Sequence, residues 1–433
     1  MTGKERRSFQ LFSGKILPAV LLLIFCFAVR LQSLGNPLID LDEGYYLFVG
    51  GQILQGGVPF VDIWDRKPLG LVLLYAFFHL FGPYRVLAYQ IGAVTSVWCT
   101  SLLVMKMARL VGPATGAFVA ALLYVGCVNM AGGEGGQSPI FYNLLVAGAM
   151  SVIMTAVIVG HENIKDMKIA AYKAMLLMGV SLQIKYTTVF EGMFAGVFLL
   201  GIFYHKMHSV RSVAVQAFLW ISITLLPTAT VALVYALAGY GHQWWFANIV
   251  SIFYREHAQP DSARHQAIKM LMLISPFLMA LPFRKSSDPR MTPQQQACRR
   301  FIDIWVFSAF FGIVVFGTRY IHYVLPFFTP LAVAMAPLWY RKFGRIWLGA
   351  LLLYVMISGQ VTVMKRRHHH GDDVLFQKVV STVSHPEGCV FVYNVSPIFY
   401  DFSHFCKITT HPFPAHLYEI DERRATGMNP LVE

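Results

Sequence analysis

The sequence predicts an all-α polytopic membrane protein with about 11 transmembrane helices, a large first outer loop that carries juxtamembrane helices, and a small C-terminal α/β outer domain. Three observations predict this fold class. The chain has 433 residues, of which 56% are hydrophobic and only 13% are charged, whereas soluble domains carry about 25% charged residues. Apolar runs of about 20 residues recur between positions 17 and 364. The chain after residue 364 is polar again.

The number of spans depends on one short apolar run, residues 69–82. It has about 14 residues, contains His79 and ends in Gly-Pro, and a run of this length is more typical of an interfacial or re-entrant helix than of a span. We therefore predict spans near 16–34, 85–105, 113–129, 139–159, 169–184, 187–204, 212–238, 265–283, 301–318, 322–341 and 344–363.

The basic residues orient these spans. If 69–82 does not cross the membrane, about 18 basic residues lie on the N-terminal side and about seven lie on the other side before the tail, as the positive-inside rule requires. If 69–82 does cross, this bias reverses. The rule therefore predicts an inner N-terminus and an outer C-terminus. It also accounts for the net charge of +13 without a nucleic-acid partner.

The first apolar run, residues 16–34, follows KERR and Lys15 and shows no small-residue cleavage site, so we expect a retained signal anchor.

We divide the chain into a transmembrane domain, 1–363, with its outer loop at 35–84, and a small outer α/β domain, 364–433. In the tail the pattern predicts a helix that begins near Asp372, a strand at 389–394, a second helix at 396–405 and a second strand at 407–411. The six cysteines show no CxxC or metal-ligand spacing. Cys389 and Cys406 would pair only if the tail faces an oxidising compartment.

Charged side chains are concentrated between the first two long apolar regions. Five of the 22 acidic residues fall between positions 40 and 65, and Arg66 and Lys67 follow directly. Charges beside a membrane are costly unless they line a wet cavity or take part in chemistry. Three cations at or near outer span ends, Lys67, Lys185 and Arg319, share the same predicted face. A cationic group next to carboxylates at the lipid boundary suits a lipid-linked phosphate.

Residues 239–264 form a second predicted outer segment, rich in Trp, Phe and Tyr. An interfacial aromatic belt explains this composition, and a substrate-covering loop is the alternative.

Two motifs resemble a known family. The chain reads DEGYY at 42–46 and GGVPFVDIWDRKP at 56–68, followed much later by RYIHYVLP at 319–326. This pattern, with a lysine (Lys185) at the outer end of a span, is similar to the GT-C glycosyltransferases, in the branch that contains protein O-mannosyltransferases and the lipid A aminoarabinose transferase. The resemblance covers roughly residues 16–363. Relatives often carry an acidic residue before the fourth span, where this chain has only Glu134, just upstream.

The resemblance implies transfer of a sugar from a polyprenyl phosphate to an acceptor on the outer membrane face. It assigns Asp42 as general base with Glu43 beside it, because a carboxylate can take the proton of the attacking hydroxyl. The substrate-binding candidates are Lys67, Lys185, Arg319, His322, Tyr323, Trp64, Asp65 and Glu134. Each also has a structural explanation: a helix cap for Asp42, snorkelling for Lys67, and an interfacial position for the His and Trp side chains. We assign no metal ligand and no cofactor, and a divalent metal stays an open alternative.

Two other functions are alternatives to a lipid-phosphate-dependent glycosyltransferase. A transporter or flippase of lipid-linked glycans should place charges or broken helices at mid-membrane and show repeated halves, which this sequence lacks. An O-antigen-ligase-like transferase would have its large outer loop late in the chain, whereas here it comes first. We therefore expect a multi-pass protein of the bacterial inner membrane with a periplasmic site and C-terminus. Its partners would be the lipid-linked donor, a lipid, glycan or protein acceptor, and membrane lipids.

Overall fold

The structure, a computed structural model, describes residues 16–160, 163–254, 260–284, 291–316 and 320–383, and, in the tail, 389, 391–392, 394–403, 409–418, 423 and 426. Its regular structure is helical, and the described residues contain no strand, only an isolated bridge between Pro59 and Ile63.

The helices of the first half build the outer loop and the first part of the bundle. They are α1 (Ile16–Arg30), α2 (Leu41–Leu54), α3 (Leu69–His79), α4 (Arg85–Ala108), α5 (Ala114–Met130), α6 (Ser138–Val152, continued by a π-helical turn Ile153–Ile158), α7 (Ile164–Leu182) and α8 (Val189–Met207).

The helices of the second half complete the bundle and form the tail. They are α9 (Val210–Leu237), α10 (Gly241–Trp245), α11 (Ser251–Tyr254), α12 (Pro260–Ala280), α13 (Pro293–Phe316), α14 (Leu325–Met335), α15 (Lys342–His370), α16 (Asp373–Val383), α17 (Ile398–Ser403) and α18 (Pro414–Tyr418).

Several of these helices can cross a membrane. Among the described residues, seven segments are long and apolar enough: Gly82–Ala108, Ser138–Ile158, Tyr186–Met207, Val210–Leu237, Ala263–Arg284, Ile321–Tyr340 and a stretch within Lys342–Val383. The four other predicted spans each contain a helix, α1, α5, α7 or α13, that falls outside this class. The predicted fold class is thus confirmed as a polytopic helical membrane fold, whereas the count of eleven spans is not.

The short apolar run that decides the topology forms α3. This helix has 11 residues, so at 1.5 Å per residue it rises about 16 Å, roughly half of the hydrocarbon core of about 30 Å. It packs against α2, and the two helices lie side by side in the outer loop.

The tail differs from the expectation in one respect and agrees in another. Helices α16 and α17 occupy the two predicted helical segments, and Asp372 caps α16 by accepting from the Leu375 N–H at 3.0 Å. The described residues of the two predicted strands, 389, 391–392, 394 and 409–411, do not form a strand. The α/β character of the tail is therefore not confirmed. Helix α15 does not end at residue 363 but continues unbroken to His370.

A polar contact joins the tail to the outer loop. Asp401 of α17 accepts from Arg85 Nε at 2.6 Å and lies 2.8 Å from His79 Nε2, with all three side chains largely buried. The Arg85 guanidinium also lies 3.7 Å from the ring centroid of Phe402. These contacts hold the tail against α2 and α3.

Candidate active site

The start of α2 places two carboxylates side by side. Asp40 is the N-cap, and its Oδ1 accepts from the Asp42 N–H at 3.0 Å. Asp42 itself is not the cap but lies in the first turn, followed by Glu43. The Gln137 amide joins the pair, because its Nε2 donates to Asp40 Oδ1 at 2.7 Å and to Asp42 Oδ2 at 3.0 Å.

Gln137 is positioned by the loop that follows α5. Arg30, completely buried at the end of α1, donates from Nε to Asn129 Oδ1 at 3.1 Å and from Nη2 to the Gly133 carbonyl. Tyr75 of α3 donates to the Gly136 carbonyl at 2.6 Å. A Cβ at Gly135 would overlap the Glu43 carboxyl group, so a larger residue here would displace that carboxyl group.

A cation from the far end of the chain completes this acidic group. Arg366 of α15 lies with Nη1 3.1 Å from Asp40 Oδ2 and 3.3 Å from Glu134 Oε1. Glu134 is 3% exposed. The guanidinium therefore lies between the half-buried Asp40 and the buried Glu134, whose mutual repulsion would otherwise be costly.

Lys67 lies in the second half of the outer loop, between α2 and α3. Asp65 stabilises the backbone turn that precedes it. Asp65 is 4% exposed, and its Oδ1 accepts from the Arg66 N–H at 2.6 Å and the Lys67 N–H at 3.3 Å. The Lys67 ammonium lies 3.9 Å from Asp65 Oδ1 and 5.5 Å from the Tyr46 ring centroid.

Two further elements bring polar side chains from later spans. Lys185 follows the end of α7, and its ammonium lies 4.9 Å from the ring centroid of Tyr323. Tyr323 and His322 belong to the 3₁₀ turn Ile321–Val324 that precedes α14. The His322 ring stacks on Tyr320 with centroids 5.5 Å apart.

These side chains meet around one cavity of about 830 Å³. Its charged and polar lining among the described residues includes Asp40, Asp42, Arg66, Lys67, Gln137, Lys185, Asn248, Lys269, His322, Arg366 and His416. Its apolar lining includes Met130, Ile252, Met272, Leu273, Ile321 and Tyr354. Lysine and arginine side chains outnumber carboxylates five to two in this lining. The cavity is therefore suited to an anion attached to an apolar chain.

The surroundings of Asp42 keep its carboxylate ionised. Burial alone would raise its pKa, but the positive charge of Lys67, the Gln137 hydrogen bond and the charge of Lys185 together hold the pKa below its ordinary value. Stabilisation by opposite charge and by donors to the anion thus outweighs desolvation.

The two neighbouring carboxyl groups behave differently. Burial, together with the negative charge of Asp40, raises the pKa of Glu43 to about 8. Burial and the charge of Asp42 raise the pKa of Asp40 to about 6, although Arg366 opposes this shift. At neutral pH Glu43 is therefore protonated, while Asp42 carries a full negative charge.

The structure brings together about half of the side chains predicted for the site. Asp42, Lys67, Lys185, His322 and Tyr323 all line the cavity. The other described candidates do not line it: Glu43, Trp64, Asp65 and Glu134 are at least 94% buried and lie behind the wall. Arg319 lies outside the described residues. No group of three or more potential metal-ligating side chains occurs in the described part of the chain.

Several lining residues were not predicted from the sequence, among them Asp40, Gln137, Arg366 and His416. Asp40 is one of the five acidic residues between positions 40 and 65, and Gln137 follows three residues after Glu134. Arg366 belongs to a basic run, KRRHHH, directly after the last span, and this run was the available signal for a cation at the outer boundary. His416 gave no local signal. Residues 247, 248, 251 and 252 of the aromatic outer segment also line the cavity, which favours its interpretation as a substrate-covering segment.

Comparison with solved structures supports the membrane fold. The chain is similar to ArnT from Cupriavidus metallidurans, a GT-C glycosyltransferase, in the apo state, with a TM-score of 0.62 and 13% identity over 92% of this chain and 88% of that chain. For the same protein bound to undecaprenyl phosphate, the TM-score is 0.65 at 12% identity, over 94% of this chain and 88% of that chain. No protein-family model and no curated protein matches the sequence. The fold predicted from the motif resemblance is thus confirmed.

Proposed function

We propose that the chain is an integral-membrane glycosyltransferase that moves a sugar from a polyprenyl-phosphate donor to an acceptor at the outer face of the membrane. The observation that carries this proposal is the cavity, which joins an ionised carboxylate, Asp42, to the ammonium groups of Lys67 and Lys185 and continues into an apolar part. The likeness to a fold solved with undecaprenyl phosphate bound supports it.

The donor would bind with its phosphate among the cations. Lys67 and Lys185 hold the phosphate oxygens, and His322 and Tyr323 add hydrogen-bond donors from the turn before α14. Arg319, just before this turn in sequence, is kept as a proposed further cation. The first isoprene units occupy the apolar part of the cavity beside Met272 and Leu273.

Asp42 would act as general base. The acceptor hydroxyl oxygen attacks the anomeric carbon while Asp42 takes its proton, and the bond between that carbon and the phosphate oxygen breaks. The electron pair of this bond stays on the leaving phosphate, whose added negative charge the lysine ammonium groups stabilise. Glu43 is protonated at neutral pH and so cannot replace Asp42 as base.

The site would face the periplasm of a bacterium whose inner membrane holds the protein. The positive-inside bias supports this orientation. The described tail residue Cys389 is disulfide-bonded, as expected for a segment in an oxidising compartment. The acceptor, a lipid, a glycan or a protein, would approach Asp42 from the same aqueous side.

The decisive experiment incubates purified protein with radiolabelled polyprenyl-phosphate sugars and membrane extract, and follows label in the acceptor fraction. We expect covalent transfer by the wild type and its loss in Asp42→Asn. Movement of the labelled lipid across vesicle membranes without covalent transfer would instead identify a flippase. Label that transfers equally well with Asp42→Asn would remove Asp42 from the mechanism.

A further inference from the structure

An aromatic cluster joins the outer loop to the tail beside the cavity. The backbone N–H of Trp64 donates to the Thr410 carbonyl at 2.9 Å. The Trp64 ring lies 4.8 Å from the His416 ring in an edge-on arrangement and 5.7 Å from the His411 ring in a stacked one. The tail segment 409–418 is therefore held against the loop that carries Lys67.

Only one side of this cluster reaches the cavity. Phe413, Ala415 and His416 line the cavity next to Arg66 and Lys67, whereas Trp64 and His411 form the layer behind them. The Phe413 ring is supported from behind by Tyr45, with centroids 5.0 Å apart. The tail thus forms part of the wall next to the proposed phosphate position.

His416 is an unusual lining residue because it is 3% exposed and its buried Nδ1 has no hydrogen-bond partner among the described residues. A buried polar atom without a partner costs free energy unless a water or a ligand supplies one. No structural need for an imidazole is evident, since a phenyl ring would fill the same space against Trp64.

The chemistry of this imidazole points to a neutral, hydroxyl-bearing ligand. Burial, followed by the positive charges of Arg66 and Lys67, holds the pKa of His416 well below its ordinary value. The neutral ring has one N–H donor and one acceptor nitrogen, so it can hydrogen-bond a hydroxyl group in either direction. It adds no charge for the phosphate, which the lysines already bind.

We propose that Phe413 and His416 form the sugar subsite of the cavity, where His416 hydrogen-bonds a hydroxyl of the donor sugar and Phe413 packs against an apolar face of its ring. This inference rests on the proposed function, because the sugar is bonded directly to the phosphate held by Lys67 and must lie beside it. Sites that pair a hydrogen-bonding group with a substrate hydroxyl discriminate strongly against analogues that lack it. The tail would therefore select the sugar.

The test measures binding of two kinds of lipid to the full-length protein in detergent. The probes are undecaprenyl phosphate and undecaprenyl phosphate linked to a hexose or to a pentose. We expect the wild type to bind at least one sugar-linked lipid more tightly than undecaprenyl phosphate. His416→Phe, which keeps the ring, should reduce this preference about fivefold, the value of one neutral hydrogen bond, and leave binding of undecaprenyl phosphate unchanged.

Two further variants separate a binding role from a structural one. His416→Gln retains a side-chain donor and acceptor and should recover part of the preference. His369→Phe is the matched control, because His369 is exposed on the same outer face and does not line the cavity, and it should behave as the wild type does.

The failures of the two proposals are distinguishable. If the wild type does not bind undecaprenyl phosphate, the proposed function is wrong. If it binds this lipid but shows no preference for either sugar-linked form, or if His416→Phe leaves the preference intact, the sugar subsite is wrong and the function stands. If His416→Phe weakens binding of every lipid equally, the subsite is also wrong.

Discussion

Arg366 and Asp40 are 326 positions apart in the sequence, and their side chains form an ion pair of 3.1 Å at the edge of the cavity. The pair connects the end of the last long helix, α15, to the N-cap of α2. The ion pair therefore holds the end of α15 next to the start of α2, where Asp42 lies two residues after the N-cap.

Replacing Arg366 by Met should destabilise the protein. The change leaves the half-buried Asp40 and the buried Glu134 without their cation, and loss of one partner from a buried ion pair costs about 3 kcal/mol. Thermal unfolding in detergent measures the effect. Arg367→Met is the control. Arg367 is the next residue, and its ion pair with Asp372, at 3.4 Å, is exposed. The melting temperature of this variant should therefore equal that of the wild type. Equal effects of the two variants would contradict a structural role for the Arg366 pair.

Asp42→Asn should lower the rate of sugar transfer about 10²- to 10⁴-fold, the usual contribution of a general base. Binding of undecaprenyl phosphate should persist, because the lysines remain. The matched control is Asp62→Asn in the same loop, since Asp62 accepts from the exposed Val58 N–H at 2.7 Å and does not line the cavity. A similar rate loss in Asp62→Asn would show that any charge change in the loop disturbs activity.

The rate of the wild type should not fall through Asp42 as the pH drops from 8 to 5. The pKa of Asp42 lies below its ordinary value of 3.8, so the carboxylate stays ionised over this whole range. A titration of the transfer rate at saturating donor measures this. A rate loss with an apparent pKa between 5 and 8 that disappears in Asp40→Asn would point to Asp40, whose pKa is about 6.

Lys67→Met should weaken binding of undecaprenyl phosphate about tenfold to a hundredfold, since a hydrogen bond to a charged group contributes about 1.5–3 kcal/mol. Lys185→Met should act in the same direction. Lys165→Met is the control, because Lys165 is exposed in the first turn of α7 and lies outside the cavity lining. Unchanged binding in both Lys67→Met and Lys185→Met would show that the phosphate does not bind between these two lysines.

Glu43→Gln should stabilise the protein at high pH. Because the pKa of Glu43 is raised from 4.5 to about 8 in the folded state, the folded protein binds more protons than the unfolded chain between these values, and stability falls as the pH rises through this window. Glutamine resembles the protonated acid and removes this loss. The melting temperatures of the two proteins should converge near pH 5, and that of the variant should be higher above pH 8. A pKa that rises from 4.5 to about 8 on folding corresponds to at most about 5 kcal/mol in the free energy of unfolding at high pH. Curves that stay parallel would show that Glu43 does not titrate.

The residues that the sequence could predict are those whose chemistry is visible locally. Asp42 and Lys67 stand in a charged insert between apolar runs, and Lys185 stands at a span end, so hydropathy and charge patterns indicate them. His322 was indicated by the family resemblance of the motif at 319–326. The short α3 followed from length alone, and the helical fold followed from composition.

The remaining features depend on contacts between distant segments. Gln137 reaches Asp42 because Arg30 and Tyr75 hold its loop, and nothing near Gln137 in sequence indicates this. Trp64 and Asp65 belong to the best motif, yet they are buried behind the cavity wall and stabilise the loop from there. His416 meets the cavity only because the tail folds back onto Trp64.

The unbroken course of α15 has a consequence for how the chain can be divided. A protein that ends at residue 363 would keep the helical bundle and the outer loop. It would lose the last seven residues of α15, which include Arg366, and the tail segment that carries His416. Such a shortened protein would insert into the bilayer and still be inactive. If the proposed function and the proposed sugar subsite are correct, the smallest active protein includes the tail, and exchanging the tail should change the sugar preference whereas removing it should abolish activity.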